Sequence, residues 1–89
     1  VNNLTQTLAT EMGPLGIRVN TVSPGPIPTE VFLEVTGMSE SDIPDMGKQF
    51  GIPLGRIGMP EDIAPACVYL ASPASSWMTG QDITINGGL

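Results

Sequence analysis

The stretch Ile17-Arg18-Val19-Asn20-Thr21-Val22-Ser23-Pro24-Gly25-Pro26-Ile27-Pro28-Thr29 constrains this chain more than any other. Its β-branched beginning reads as a short buried strand over 17–22. Its end is a loop in which proline fixes the backbone at alternate positions. In an open α/β sheet, bound molecules sit just beyond the carboxyl ends of strands. A stiff loop that presents backbone polar groups there is a candidate contact, although the same residues can serve as a turn that only joins two elements.

The flanking pattern is helical. Val1, Leu4, Leu8 and Met12, with Thr5 and Ala9 between them, recur on one face, and Gly13, Pro14 and Gly16 stop the helix. The stripe reads as core, with part of it available to another subunit. No initiator methionine precedes Val1 and the helix opens without a cap, which is expected of the middle of a helix in a longer protein. Arg18 is expected at the exposed start of the strand or paired with a carboxylate such as Glu11, in a structural role at the end away from the loop.

Residues 30–51 form a lobe of mixed character. Glu30–Val35 predicts a short helix, and Ser39 with Asp42 predicts a capped start for a second one running to about Phe50. Pro44 fits only near its beginning. Phe32, Leu33, Val35, Met38, Ile43, Met46 and Phe50 are more apolar residues than such a loop requires. They fit either a flap over an apolar ligand site or a satellite core.

Ile52–Gly58 reads as a tight connector, after which Pro60 suits a first helical position and Glu61 and Asp62 suit the positive helix end. Ile63, Ala66, Cys67 and Leu70 are expected on the buried side of that helix, with Pro65 bending it locally. Cys67 is expected to be a small buried hydrophobe rather than a nucleophile. Trp77 and Met78 are expected to seal the layer beneath a turn at 72–76, and 81–85 alternates as a second strand.

The order helix, strand, lobe, helix, strand makes the fold class α/β, with two parallel strands joined by a right-handed crossover. The 89 residues allow one small domain at most. Two strands alone would leave a strand edge and a helix face unprotected, so the chain reads as a piece of a larger sheet. A single cysteine excludes an intrachain disulfide and offers no metal-ligand spacing, and the absence of histidine removes imidazole sites and histidine base chemistry. Nine acids against three bases, a net charge of -6, disfavour nucleic-acid binding. No apolar run approaches a membrane span, and the expected setting is cytoplasmic.

Thr5-Gln6-Thr7-Leu8-Ala9-Thr10-Glu11, Gly16-Ile17-Arg18-Val19-Asn20 and Pro24-Gly25-x-x-x-Thr29 together resemble the classical short-chain dehydrogenase/reductase family. Pro53-Leu54-Gly55-Arg56-x-Gly58-x-Pro60-Glu61-Asp62-Ile63-Ala64, Tyr69-Leu70-Ala71-Ser72, Thr79-Gly80-Gln81 and Gly87-Gly88 extend the likeness over nearly the whole chain. The resemblance implies the C-terminal fragment of a doubly wound, parallel-sheet (Rossmann-type) domain, with 30–51 as a substrate-binding flap. It implies an intact NAD- or NADP-dependent oxidoreductase that moves hydride between the nicotinamide and an alcohol or carbonyl substrate such as a 3-oxoacyl, polyol or steroid-like compound. The family's dinucleotide loop, catalytic serine and Tyr-x-x-x-Lys pair are not in these residues. The lysine would fall about three positions before Val1, and Tyr69 does not replace the tyrosine.

By the same resemblance, Pro24 and Gly25 shape the nicotinamide side of the pocket and Ile27 offers backbone groups to the carboxamide. Thr29 bonds the carboxamide or the pyrophosphate, whereas Asn20 steadies neighbouring backbone. No catalytic or metal-binding residue is assigned to the chain. The intact protein is expected to form a homotetramer or homodimer, and residues 1–89 alone are expected to be inactive. The alternative is a non-catalytic fragment or relative that serves subunit assembly or ligand binding.

Overall fold

The computed structural model describes residues 2–89; Val1, expected on the core stripe of the first helix, lies outside them. Helix α1 spans Asn2–Met12 and is followed by a short 3-10 turn, Gly13–Leu15. Strand β1 is Thr21–Pro24, and α2 (Glu30–Thr36), a 3-10 turn (Glu40–Asp42) and α3 (Ile43–Gln49) make up the lobe. Helix α4 is Pro60–Ala71, a third 3-10 turn is Pro73–Ser75, and β2 is Asp82–Ile85. The strands pair in parallel with Thr21 opposite Asp82 and Pro24 opposite Ile85, as the sequence order predicts.

Strand parity places the helices. Thr21 shares a hydrogen bond with Thr5 of α1. Ile85, of opposite parity in the register, lines a cavity with Ile63 of α4. The helices therefore approach opposite faces of the strand pair. Helix α1 comes close because its contacting residues are small: a Cβ placed on Gly80 would stand 3.3 Å from the Ala9 methyl.

The expected stripe holds at Thr5 and Ala9 and fails at Leu4. Thr5 and Ala9 are buried, whereas Leu4 is exposed and Leu8 and Met12 are half-buried. The helix turns its small residues, not its leucines, toward the strands. Strand β1 begins later than expected because the residues before it are otherwise engaged. Asn20 donates to Met78 O and accepts from Gln81 N, bridging backbone as predicted.

Arg18 does not meet Glu11. Its guanidinium donates to Ser75 O and Oγ at 2.8 and 3.0 Å, Met78 O at 3.2 Å, Leu70 O at 2.9 Å and Ser72 O at 3.4 Å. It thereby caps the end of α4 with a cation, where the helix carbonyls lack intrahelical donors.

The lobe carries its own core. Met46, Ile52 and Ile57 are buried, and Phe32, Leu33, Met38, Ile43 and Phe50 pack against them. Phe32 and Phe50 meet edge to face with centroids 5.9 Å apart. Asp42 accepts from Ser39 N at 2.9 Å as the spacing predicts, although the first turn is 3-10 and α3 proper starts at Ile43. Pro44 sits in the first turn of α3.

Two further expectations fail. Cys67 is exposed, because α4 turns Ile63, Ala66 and Leu70 toward the strands and nothing among the described residues covers its next flank. Trp77 is 99% exposed; the turn after Ser75 directs it outward and leaves Met78 to fold inward. The molecule is extended, with a radius of gyration of 15.9 Å against about 12 Å for a compact chain of this length. Among the described residues, no helix is long and apolar enough to cross a membrane.

Candidate functional site

The loop after β1 is locked before any ligand arrives. Gly25 N donates to Ile85 O at 2.8 Å, continuing the ladder one step past Pro24. A Cβ on Gly25 would lie 2.8 Å from Asn86 Cα and Cβ, so only glycine allows the loop to lie against the exit of β2. Pro26 O accepts from Gly58 N at 3.2 Å and Ile27 O accepts from Thr29 N at 2.8 Å. Pro26 and Pro28 have no N–H, and Ile27 N–H finds no acceptor among the described residues. Backbone donors are rarely left unpaired away from bulk water, and Ile27 is half-buried.

Thr29 caps α2, its Oγ1 accepting from Phe32 N at 3.2 Å. A hydroxyl has one proton to donate and two lone pairs, so the cap leaves its donor available. Pro24, Gly25, Ile27 and Thr29 all line one open groove of about 770 Å³. Its other walls are apolar: Val31, Phe32 and Val35 from α2, and Pro60, Ile63 and Ala64 from the start of α4. Phe32 and Val35 are among the lobe residues that the sequence pattern offers to an apolar ligand site, whereas Val31, Pro60, Ile63 and Ala64 are not singled out for it. Pro60 was the available signal, because a crossover helix beginning at Pro60 must start near the carboxyl end of β1.

Phe32 aside, the larger apolar side chains of the lobe face its own core. The surface offered to the groove by α2 is therefore chiefly Val31 and Val35, 68% and 81% exposed.

Behind the loop lies a second cavity of about 140 Å³, with Ile52, Leu54, Arg56, Asp62, Ile63 and Asn86 in its walls. Gly25, Pro26 and Ile27 border both spaces, so the loop partitions them. On the cavity side, Arg56 Nη1 and Nη2 each donate to Asp62 at 2.8 Å. Arg56 Nη1 also donates to Ile57 O at 3.2 Å, and Met59 N donates to Asp62 Oδ2 at 2.8 Å. The hydrogen bond from Arg56, with the Met59 amide adding to it, holds the Asp62 carboxyl well below the usual carboxylate range, and the pairing raises Arg56.

The family model described as "Enoyl-(Acyl carrier protein) reductase" matches residues 1–89. An uncharacterized oxidoreductase of Bacillus subtilis, YxbG, is 41% identical over 95 residues, covering 100% of this chain and 34% of its own length. The 3-oxoacyl-[acyl-carrier-protein] reductase FabG of Chlamydia trachomatis is 42% identical over 84 residues, covering 92% and 31%. The NADPH-bound structure of a short chain oxidoreductase from Pseudomonas aeruginosa, which contains an atypical catalytic center, superposes with a TM-score of 0.87 at 34% identity. That match covers 99% of this chain and 35% of the other. The chain thus spans about a third of the length of the relatives it matches.

Proposed function

Because the chain belongs to the short-chain dehydrogenase/reductase family, we propose that the intact protein is an NAD(P)-dependent oxidoreductase acting on an alcohol or carbonyl. The observation that carries this reading is the Ile27 amide, a donor without an acceptor among the described residues, between two prolines at the carboxyl end of β1 and on the wall of an apolar groove. A nicotinamide carboxamide has the acceptor that such an amide needs, and its ring suits apolar walls. When bound, the cofactor supplies or accepts hydride.

This chain's residues orient and exclude. The proline-bounded loop holds the Ile27 donor in place before binding, so little backbone freedom remains to be lost. The Thr29 hydroxyl donates to the carboxamide or pyrophosphate while its oxygen keeps the cap. Val31 and Val35 place an apolar surface opposite the loop, with residues 30–51 as the substrate flap over it. Glu30 and Glu34 on the same helix disfavour a strongly anionic substrate.

The test is turnover by the intact polypeptide of 3-oxoacyl, polyol and steroid-like substrates with each dinucleotide. Absence of saturable binding of either dinucleotide would refute the reading. Residues 1–89 alone are expected to give no turnover, because the catalytic groups implied by the family lie outside them. Exposed Val68, Tyr69 and Trp77 favour assembly of the intact protein into a homodimer or homotetramer, which light scattering measures.

A further inference from the structure

We propose that Arg56 and Gly58, which do not line the groove, are positioning residues that aim and polarise the Ile27 amide through two successive peptide groups; this rests on the groove being the nicotinamide site. From Pro26 to Pro28, one hydrogen bond ties the loop to a distant segment among the described residues: Gly58 N to Pro26 O, 3.2 Å. Pro26 O and Ile27 N–H belong to the same peptide unit, and no peptide bond among the described residues is cis. In a trans peptide the carbonyl and the N–H point in opposite directions. Holding the Pro26 oxygen against Gly58, on the cavity side, therefore turns the Ile27 N–H the other way, toward the groove.

The same logic repeats one step back. Gly58 N–H shares its peptide with Ile57 O, which accepts from Arg56 Nη1 at 3.2 Å. The order is guanidinium, Ile57–Gly58 peptide, Pro26–Ile27 peptide, open donor. Each member donates in one direction, so the peptide dipoles add and a cation heads the row; hydrogen bonds in such rows strengthen one another. Asp62 fixes the head, since it holds both Arg56 nitrogens and also Met59 N, on the far side of Gly58. Glycine at 58 is part of the geometry: a Cβ there would stand 3.3 Å from Pro26 O and 3.4 Å from Ile27 Cγ1, pressing on the peptide that must not move.

The experiment uses the intact polypeptide, with Gly58→Ala and the surface variant Arg56→Met beside wild type. Affinity is measured for the reduced dinucleotide and for the matching ADP-ribose nucleotide, which lacks the nicotinamide. The Ile27 amide proton shift is measured in nucleotide-free protein. Misplacing one hydrogen bond predicts dinucleotide binding weaker by about 3- to 10-fold in Gly58→Ala and about 2- to 3-fold in Arg56→Met, with ADP-ribose binding within about 2-fold of wild type. The Ile27 proton should move upfield in Arg56→Met. Equal weakening of both nucleotides would mark Gly58 and Arg56 as merely structural and overturn the proposal, as would an unmoved Ile27 proton. Were wild type itself to bind both nucleotides alike, the nicotinamide assignment would fall instead, whatever the Ile27 proton does.

Discussion

Replacing Arg18 by methionine should destabilise the protein by about 3 kcal/mol, a value that follows from its partners. Three of its hydrogen bonds are short: Ser75 O, Ser75 Oγ and Leu70 O, at 2.8–3.0 Å. The bonds to Met78 O and Ser72 O are longer, at 3.2 and 3.4 Å. No carbonyl is orphaned by the substitution. Leu70 O keeps the Ser75 hydroxyl, Ser72 O keeps Ser75 N, Ser75 O keeps Met78 N, and Met78 O keeps Asn20 Nδ2. The loss is therefore the net worth of the bonds, about 0.5–1.5 kcal/mol each for the three short ones, rather than the larger penalty for a stranded polar group. Loss of a cation at a helix carboxyl end adds about 0.3–1 kcal/mol. Arg18→Lys should recover less than half, because one ammonium cannot span carbonyls that a planar fork reaches together. Urea unfolding of the intact polypeptide measures this directly. An Arg18→Met variant within about 0.5 kcal/mol of wild type, the scale of an inconsequential surface change, would refute the assignment of Arg18 as the tie between the segment leading into β1 and the end of α4.

Gly47→Ala should unfold the lobe, since its Cβ would fall 2.4 Å from Gly55 C and O, while Gly13→Ala, with nothing within 4 Å, should leave the thermal midpoint almost unchanged. Thr29→Ala should cost about 1 kcal/mol through loss of the α2 cap and also weaken dinucleotide binding; Thr29→Ser should retain both, checked by urea unfolding and titration. Asp62 should remain ionised in carbon-detected NMR titrations at acidities where ordinary carboxylates protonate. Its folded value is depressed from 3.8, so its stabilising contribution is present above that unfolded value and lost as pH falls through the folded one. A titration midpoint near 3.8 would remove the argument for the clasp.

What the sequence made legible was local. The stiff turn after β1, the Ser39/Asp42 start, Pro60 opening α4 and the two strands all follow from residues a few positions apart. What it concealed was relational. Helical spacing puts Leu4, Thr5, Leu8, Ala9 and Met12 on one face but does not say what lies opposite, so it does not show that Thr5, bonded to Thr21, and Ala9, beneath Gly80, are the members that go under. Cys67 and Trp77 were assigned to the interior on residue type, yet their exposure depends on which flank of α4 and which side of a turn meet another surface. The partners of Arg18 lie more than fifty positions away and leave no local trace. The lobe's apolar residues fit a flap or a satellite core from the sequence, and only the structure shows Met46 at the centre of their packing.

The hub around Met46 shares no residue with the β1–β2 ladder. Amide exchange across 43–57 should therefore report one opening free energy, and exchange in 22–25 and 83–85 another. Breathing of the lobe can then proceed while the ladder stays zipped, and a ligand pressed between them would slow both at once.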